Sequence, residues 1–162
     1  MKKTALLLLM MSYHGAAQAE SFDFSQFYIA TGLSVNKLDG FDNANGYQLL
    51  IGYDLQYSVG AASTSIEAGY MDSGDFDLTL AGLSSPPSTK AKGGWVSANI
   101  SYPLDDHFKL LARGGYDFGN DEGALLGTGV EYHLSEPFNI RAEFISRDET
   151  DSFQINLTYA LK

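Results

Sequence analysis

The chain has 162 residues, enough for one domain, with 20 acidic and 10 basic side chains and a formal charge of −10. That acidity argues against a nucleic-acid partner and against a basic patch for anionic lipid. The absence of cysteine excludes disulfides and thiolate metal sites.

The first segment reads as a leader. Lys2 and Lys3 precede an apolar run at 5–11 and then Ala17-Gln18-Ala19, which gives a basic end, a short apolar centre and a small-residue cleavage site. Cleavage is expected before Glu20, so residues 1–19 are a signal peptide and 20–162 the exported domain. The apolar run falls well short of the roughly 20 residues a membrane-spanning helix needs, and no later run reaches that length. A helical membrane protein is thereby excluded. A membrane β-barrel is not, because each strand needs only about 9–11 residues, alternately apolar.

From residue 27 the chain falls into strands separated by turns. Phe27, Ile29, Leu33 and Val35 alternate with Tyr28, Ala30, Gly32, Ser34 and Asn36, and a turn rich in Asp, Asn and Gly follows. In the second strand Tyr47, Leu49, Ile51, Tyr53 and Leu55 share one face. Gln48, Leu50, Gly52 and Asp54 share the other. Residues 56–63 are ambiguous and contain a short turn. The third strand sets Ile66, Ala68 and Tyr70 against Ser65, Glu67 and Gly69. The longest irregular stretch is 72–93, with Pro86-Pro87 and Asp72, Asp75 and Asp77.

The fourth strand sets Val96, Ala98, Ile100 and Tyr102 against Trp95, Ser97, Asn99 and Ser101, and a tight turn at 103–107 ends it. In the fifth, Phe108, Leu110, Ala112, Tyr116 and Phe118 oppose Lys109, Arg113, Gly115 and Asp117. After a short loop near Asn120 comes a hairpin over 127–144, turning at Ser135-Glu136-Pro137. Its apolar face carries Thr128, Val130, Tyr132, Leu134, Phe138, Ile140, Ala142 and Phe144. Its other face carries glycines and the charged group Glu131, Arg141 and Glu143. A turn at 147–151 leads to the eighth strand, where Phe153, Ile155, Leu157, Tyr159 and Leu161 alternate with Gln154, Asn156, Thr158 and Ala160.

Eight hairpin-connected strands make an up-and-down meander, and closing it removes both edges, as a bilayer demands. The predicted fold is all-β: an eight-stranded antiparallel transmembrane barrel, apolar outside and charged within. Aromatic residues near the strand ends suit the headgroup boundaries.

The motifs SIEAGY (65–70), SYPLDD (101–106), LLARGGY (110–116), GVEYHL (129–134) and NIRAEF (139–144), in this order and spacing, resemble the OmpA-type eight-stranded outer-membrane barrels of Gram-negative bacteria. The resemblance covers essentially the whole exported chain, and no periplasmic domain is expected after the last strand, as in the small OmpX-like members and their adhesin relatives, which the chain resembles. It implies that Glu67, Arg113, Glu131, Arg141 and Glu143 form a charged plug in the lumen. Two positions depart from the pattern. Asn99 stands where the best-known member carries a lysine, and the chain finishes Leu161-Lys162 in place of the terminal aromatic read by the insertion machinery.

The expected function is non-enzymatic: envelope structure or surface interaction by a monomer in contact with outer-membrane lipid and lipopolysaccharide. The loop at 72–93 is the candidate for an outside ligand, since ligand-reading residues favour loops on rigid scaffolds. Asp72, Asp75, Asp77, Asp121 and Glu122 are the candidate loop contacts, either to a partner or through divalent cations to lipopolysaccharide. No cofactor or protein metal site is called for, and His107 and His133 lie at separate turns. Three alternatives stand beside this reading: a small ion-conducting pore, a soluble lipocalin-like barrel, and a lipid A-modifying enzyme. The enzyme would use His133 and Ser135 with Glu143 or Glu149, but the histidine and serine fall at a short turn on the periplasmic side.

Overall fold

The computed structural model describes residues 23–78 and 88–161. The expected signal peptide and Pro86-Pro87 lie outside the described residues. A short 3-10 turn, Phe24–Gln26, is capped by the Asp23 side chain, which accepts from the Ser25 N–H at 3.0 Å. Ten strands follow: β1 (Phe27–Leu38), β2 (Ala44–Val59), β3 (Ala62–Asp72), β4 (Phe76–Asp77), β5 (Ser88–Thr89), β6 (Lys92–Pro103), β7 (Phe108–Asp117), β8 (Gly123–Ser135), β9 (Phe138–Ser146) and β10 (Thr150–Ala160).

Eight of them close into the expected antiparallel barrel, in the order β1-β2-β3-β6-β7-β8-β9-β10 and back to β1; β4 and β5 form a separate two-stranded sheet. Carrying the registers once round returns to β1 displaced by about ten residues, a stagger that tilts the strands and leaves room only for side chains inside.

The faces follow the alternation. Leu33 is 74 % exposed and Ile155 53 %, whereas Glu143 and Asn156 are 2 % and 1 % exposed. An apolar outside around a polar inside is the reverse of a soluble barrel and suits lipid. The registers sort the outer aromatics into two belts. Phe27–Tyr53, Phe108–Tyr132 and Phe138–Tyr159 ring pairs, with centroids 4.8–5.3 Å apart, mark the end that carries both termini. Tyr116 and Phe118 pack at 5.2 Å near the other end, where Phe144 pairs with Phe153 across β9 and β10.

Short turns gather at the terminal end, which makes it the periplasmic one. The ambiguous stretch 56–63 resolves here. β2 continues to Val59 after a register shift between Leu55 and Ser58, and Gly60 takes a φ of +63° to turn the chain. Alternation breaks at such a bulge, which hid the strand's length. In the β6–β7 turn the Asp105 carboxylate accepts the His107 and Phe108 N–H groups, each at 2.8 Å; these bonds hold its carboxyl below the usual range.

The stretch 72–93 is less irregular at its base than its composition implies. β4 pairs with β5, Asp42 donates its N–H to Asp77 O at 2.9 Å, and Phe41 bridges Leu78. Phe76 is wholly buried beside Ala44 and Ala91, with Leu38 and Phe41 against it. A small apolar cluster thus fastens this loop to the outer rim of the barrel.

Candidate functional site

The lumen is the most organised part of the molecule. Glu67 on β3, Arg113 on β7, Glu131 on β8, and Arg141 and Glu143 on β9 all point inward, and the barrel's curvature brings them together. Arg113 Nη2 lies 2.8 Å from both Glu67 Oε2 and Glu143 Oε1. Arg141 Nη1 lies 2.6 Å from Glu67 Oε1, and its Nη2 3.1 Å from Glu131 Oε2. Lys109 Nζ adds a looser contact to Glu131 at 3.6 Å. Three carboxylates therefore meet three cations.

Neutral side chains complete the network. The Tyr28 hydroxyl donates to Glu67 Oε1 at 2.6 Å, Asn156 Nδ2 donates to Glu143 Oε2 at 3.1 Å, and Gln48 Nε2 donates to Asn156 Oδ1 at 2.7 Å. The guanidinium carbons of Arg113 and Arg141 sit 5.2 Å and 5.8 Å from the ring centroids of Trp95 and Tyr28. Glycines make the space. A Cβ on Gly52 would fall 2.1 Å from the Tyr28 ring, and one on Gly69 2.6 Å from the Trp95 ring. Buried charges persist only when paired and hydrogen-bonded this closely.

Toward the outer end the lumen changes character. Trp95, Leu125, Ile145 and Met71 are all buried and belong to one apolar cluster. Beyond them Arg147 Nε meets Asp117 Oδ2 at 3.2 Å, and its Nη1 donates to Ser152 Oγ at 2.9 Å. Charge belt, apolar layer and outer ion pair follow one another along the axis. The apolar layer was not legible in the sequence. Continuing the hairpin's alternation turns Leu125 and Ile145 inward and Leu126 and Phe144 outward, but nothing local says that these side chains meet Trp95 and Met71 in one layer.

The five acidic loop candidates do not converge. Lys90 Nζ holds Asp72 at 3.3 Å and Asp75 at 3.5 Å, and its pKa is raised by the hydrogen bond to Asp72 and then by the charges of both acids. Asp77 lies on β4. Asp121 is buried and accepts the Glu149 N–H at 2.9 Å, tying two outer loops together. Glu122 accepts from the Tyr116 hydroxyl at 3.2 Å. Among the described residues no group of three or more His, Asp or Glu is placed to hold a metal ion. His133 Nδ1 is 2.8 Å from Asn139 Oδ1 at the periplasmic end; Glu143 is engaged by Arg113 in the belt, and Glu149 lies beyond β9 at the opposite rim.

A family model described as "Outer membrane protein beta-barrel domain" matches residues 4–160. The chain belongs to that family. No curated protein matches the sequence. Among solved structures, Ail of Yersinia pestis in a phospholipid nanodisc is similar at 12 % identity and a TM-score of 0.59, covering 83 % of this chain and 98 % of Ail. The de novo designed barrel TMB2.3 is similar at 15 % identity and a TM-score of 0.58, covering 85 % and 95 %. The outer-membrane enzyme PagL is similar at 10 % identity and a TM-score of 0.50, covering 82 % and 98 %. Identities this low carry the fold and nothing finer. One outer-membrane barrel architecture thus holds an attachment protein, an enzyme and an artificial sequence.

Proposed function

We propose that this outer-membrane barrel is a non-enzymatic envelope protein of a Gram-negative bacterium. It acts as a monomer, stabilises its surroundings in the bilayer and presents an acidic outer surface to a partner outside the cell. The carrying observation is the closed lumen. The charge belt and the Trp95, Leu125, Ile145 and Met71 layer fill the axis in succession, which opposes the pore reading. Against the enzyme reading, among the described residues His133 is paired with Asn139 and Glu143 is held by Arg113, whereas a nucleophile and its base must come within hydrogen-bond reach of each other.

The outer rim supplies the interactive part. Asp39, Asp42, Asp75, Asp77, Glu122, Asp148 and Glu149 crowd its loops, and the small sheet of β4 and β5 is anchored there by Phe76. Ail has been solved with the heparin analogue sucrose octasulfate, a polyanion. The acidic rim of this chain suits the opposite charge, a cationic surface or peptide.

The test uses the full chain expressed in outer membranes. Cells should adhere to amine-bearing beads and not to sulfated ones. Replacing Asp75, Asp77 and Glu122 by their amides should weaken that adhesion while the barrel still assembles. Purified protein should release no acyl chain from lipid A and give no steady current in planar bilayers. Acyl release would establish the enzyme reading, and a stable current the pore.

A further inference from the structure

Across β2, β3, β6 and β7 the lipid face is hollowed into an apolar groove of about 530 Å³. Its floor is Ala68, Ala98 and Gly114, and Ile51, Ile66 and Val96 stand around it. The registers place these positions together. Ile51, Ala68 and Val96 lie abreast on β2, β3 and β6, and Ile66, Ala98 and Gly114 lie abreast on β3, β6 and β7. Gly114 is the informative residue. Gly52, Gly69 and Gly115 face inward, where an added Cβ would run into side chain or backbone of the barrel itself. A Cβ on Gly114 would meet nothing nearer than Leu126 Cδ2 at 3.6 Å, an ordinary contact. Glycine inside a strand weakens it and marks a place where a neighbour comes close to the backbone. The barrel supplies no such neighbour at Gly114, so the close approach is made from outside the chain.

We propose that this groove seats one acyl chain of a phospholipid from the periplasmic leaflet, laid against the Ala68, Ala98 and Gly114 floor. The inference stands apart from the proposed surface role, since it concerns the lipid face and not the outer rim. The groove begins at the Phe27–Tyr53 ring pair of the periplasmic belt and reaches Tyr116 near the outer belt. A surface between the two belts meets hydrocarbon. A single flexible chain suits a hollow floored by methyl groups and one bare stretch of backbone. The volume equals roughly eighteen waters at ~30 Å³ each. A methylene fills about as much room, so one chain of ordinary length occupies the groove. The two mouths decide which leaflet supplies it. At the outer mouth the Tyr116 hydroxyl donates to Glu122 at 3.2 Å, and that carboxylate repels the phosphates of lipopolysaccharide. At the periplasmic mouth Phe27 and Tyr53 present uncharged rings, which suit a phospholipid headgroup boundary.

The experiment extracts the full exported chain from outer membranes into a mild detergent and weighs it intact by native mass spectrometry. A single phospholipid should stay on each barrel. Ala98→Leu combined with Gly114→Leu fills the groove, and the lipid-bound share should fall about tenfold or more. Ala142→Leu, on the outer face of β9 across the barrel, should leave that share unchanged. If the double variant does not assemble, Gly114→Val serves, since the Cβ position there is open. In nanodiscs, phosphatidylglycerol with a photoreactive group in one chain should label Val96 and Tyr116 in preference to Leu33 on β1 and Leu157 on β10. Where the detergent strips every lipid, this labelling decides, and the filled variant should abolish the preference. The proposal is overturned if the filled groove retains as much lipid as the open one, or if the photolabel spreads evenly over the lipid face. It is equally overturned if lipopolysaccharide or a second copy of the chain is found in the phospholipid's place.

Discussion

Replacing Arg141 by methionine removes the centre of the lumenal network and keeps most of its bulk. The guanidinium contacts Glu67 at 2.6 Å and Glu131 at 3.1 Å. After the change Glu67 keeps Arg113 and the Tyr28 hydroxyl, while Glu131 keeps only Lys109 at 3.6 Å. Breaking a buried pair from one side costs about 3–5 kcal/mol, because the remaining charge is stranded. Since both carboxylates retain a partner, the lower end applies: about 3 kcal/mol, or roughly 150-fold in the folding equilibrium. Urea titration in lipid vesicles measures it directly. The reporter is Trp95, the single tryptophan of the chain, which is 2 % exposed inside the barrel. Combining Arg141→Met with Glu131→Gln removes the stranded charge, so the double variant should lose less than the two singles summed, by about 1 kcal/mol or more. A loss under about 1 kcal/mol for Arg141→Met, or strict additivity in the double variant, would refute the coupled network.

Three further outcomes are expected. Leu157→Arg places a charge on the lipid face of β10, opposite Ile140, and should cost about 2–4 kcal/mol near the bilayer midplane, whereas Thr158→Ser on the adjacent lumenal position should be milder in the same titration. The Lys90 clasp on Asp72 and Asp75 raises the lysine pKa in the folded state, so its contribution is complete below the ordinary lysine value and fades only as pH climbs through the raised one. Protease cleavage of the outer loop should therefore stay slow from neutral to mildly alkaline pH in the parent, quicken in Lys90→Met across that range, and converge for the two proteins once pH passes the raised lysine value. Mass spectrometry of protein recovered from outer membranes should find Glu20 as the first residue, and unheated samples should migrate differently from heated ones in gels.

The strand faces were legible because alternation is local. Ile66 against Glu67, or Leu157 against Asn156, needs only a period of two. The five network residues were nameable by type and by family resemblance, but no local pattern says that Glu67 meets Arg141, 74 positions away. That meeting depends on the stagger of eight registers. Asp72 and Asp121 show the converse limit. Both read as exposed loop acids, yet one is clasped by Lys90 and the other is buried under a neighbouring loop.

By itself the sequence determined that there are eight alternating strands, which face is greasy and which holds ions, because those properties repeat every second residue. Tertiary structure alone decided which ions touch and that Trp95, Met71, Leu125 and Ile145, from four different strands, meet in one apolar layer beside the charge belt. Closing the sheet fixes the strand tilt, and that tilt sets which residues share a level along the axis.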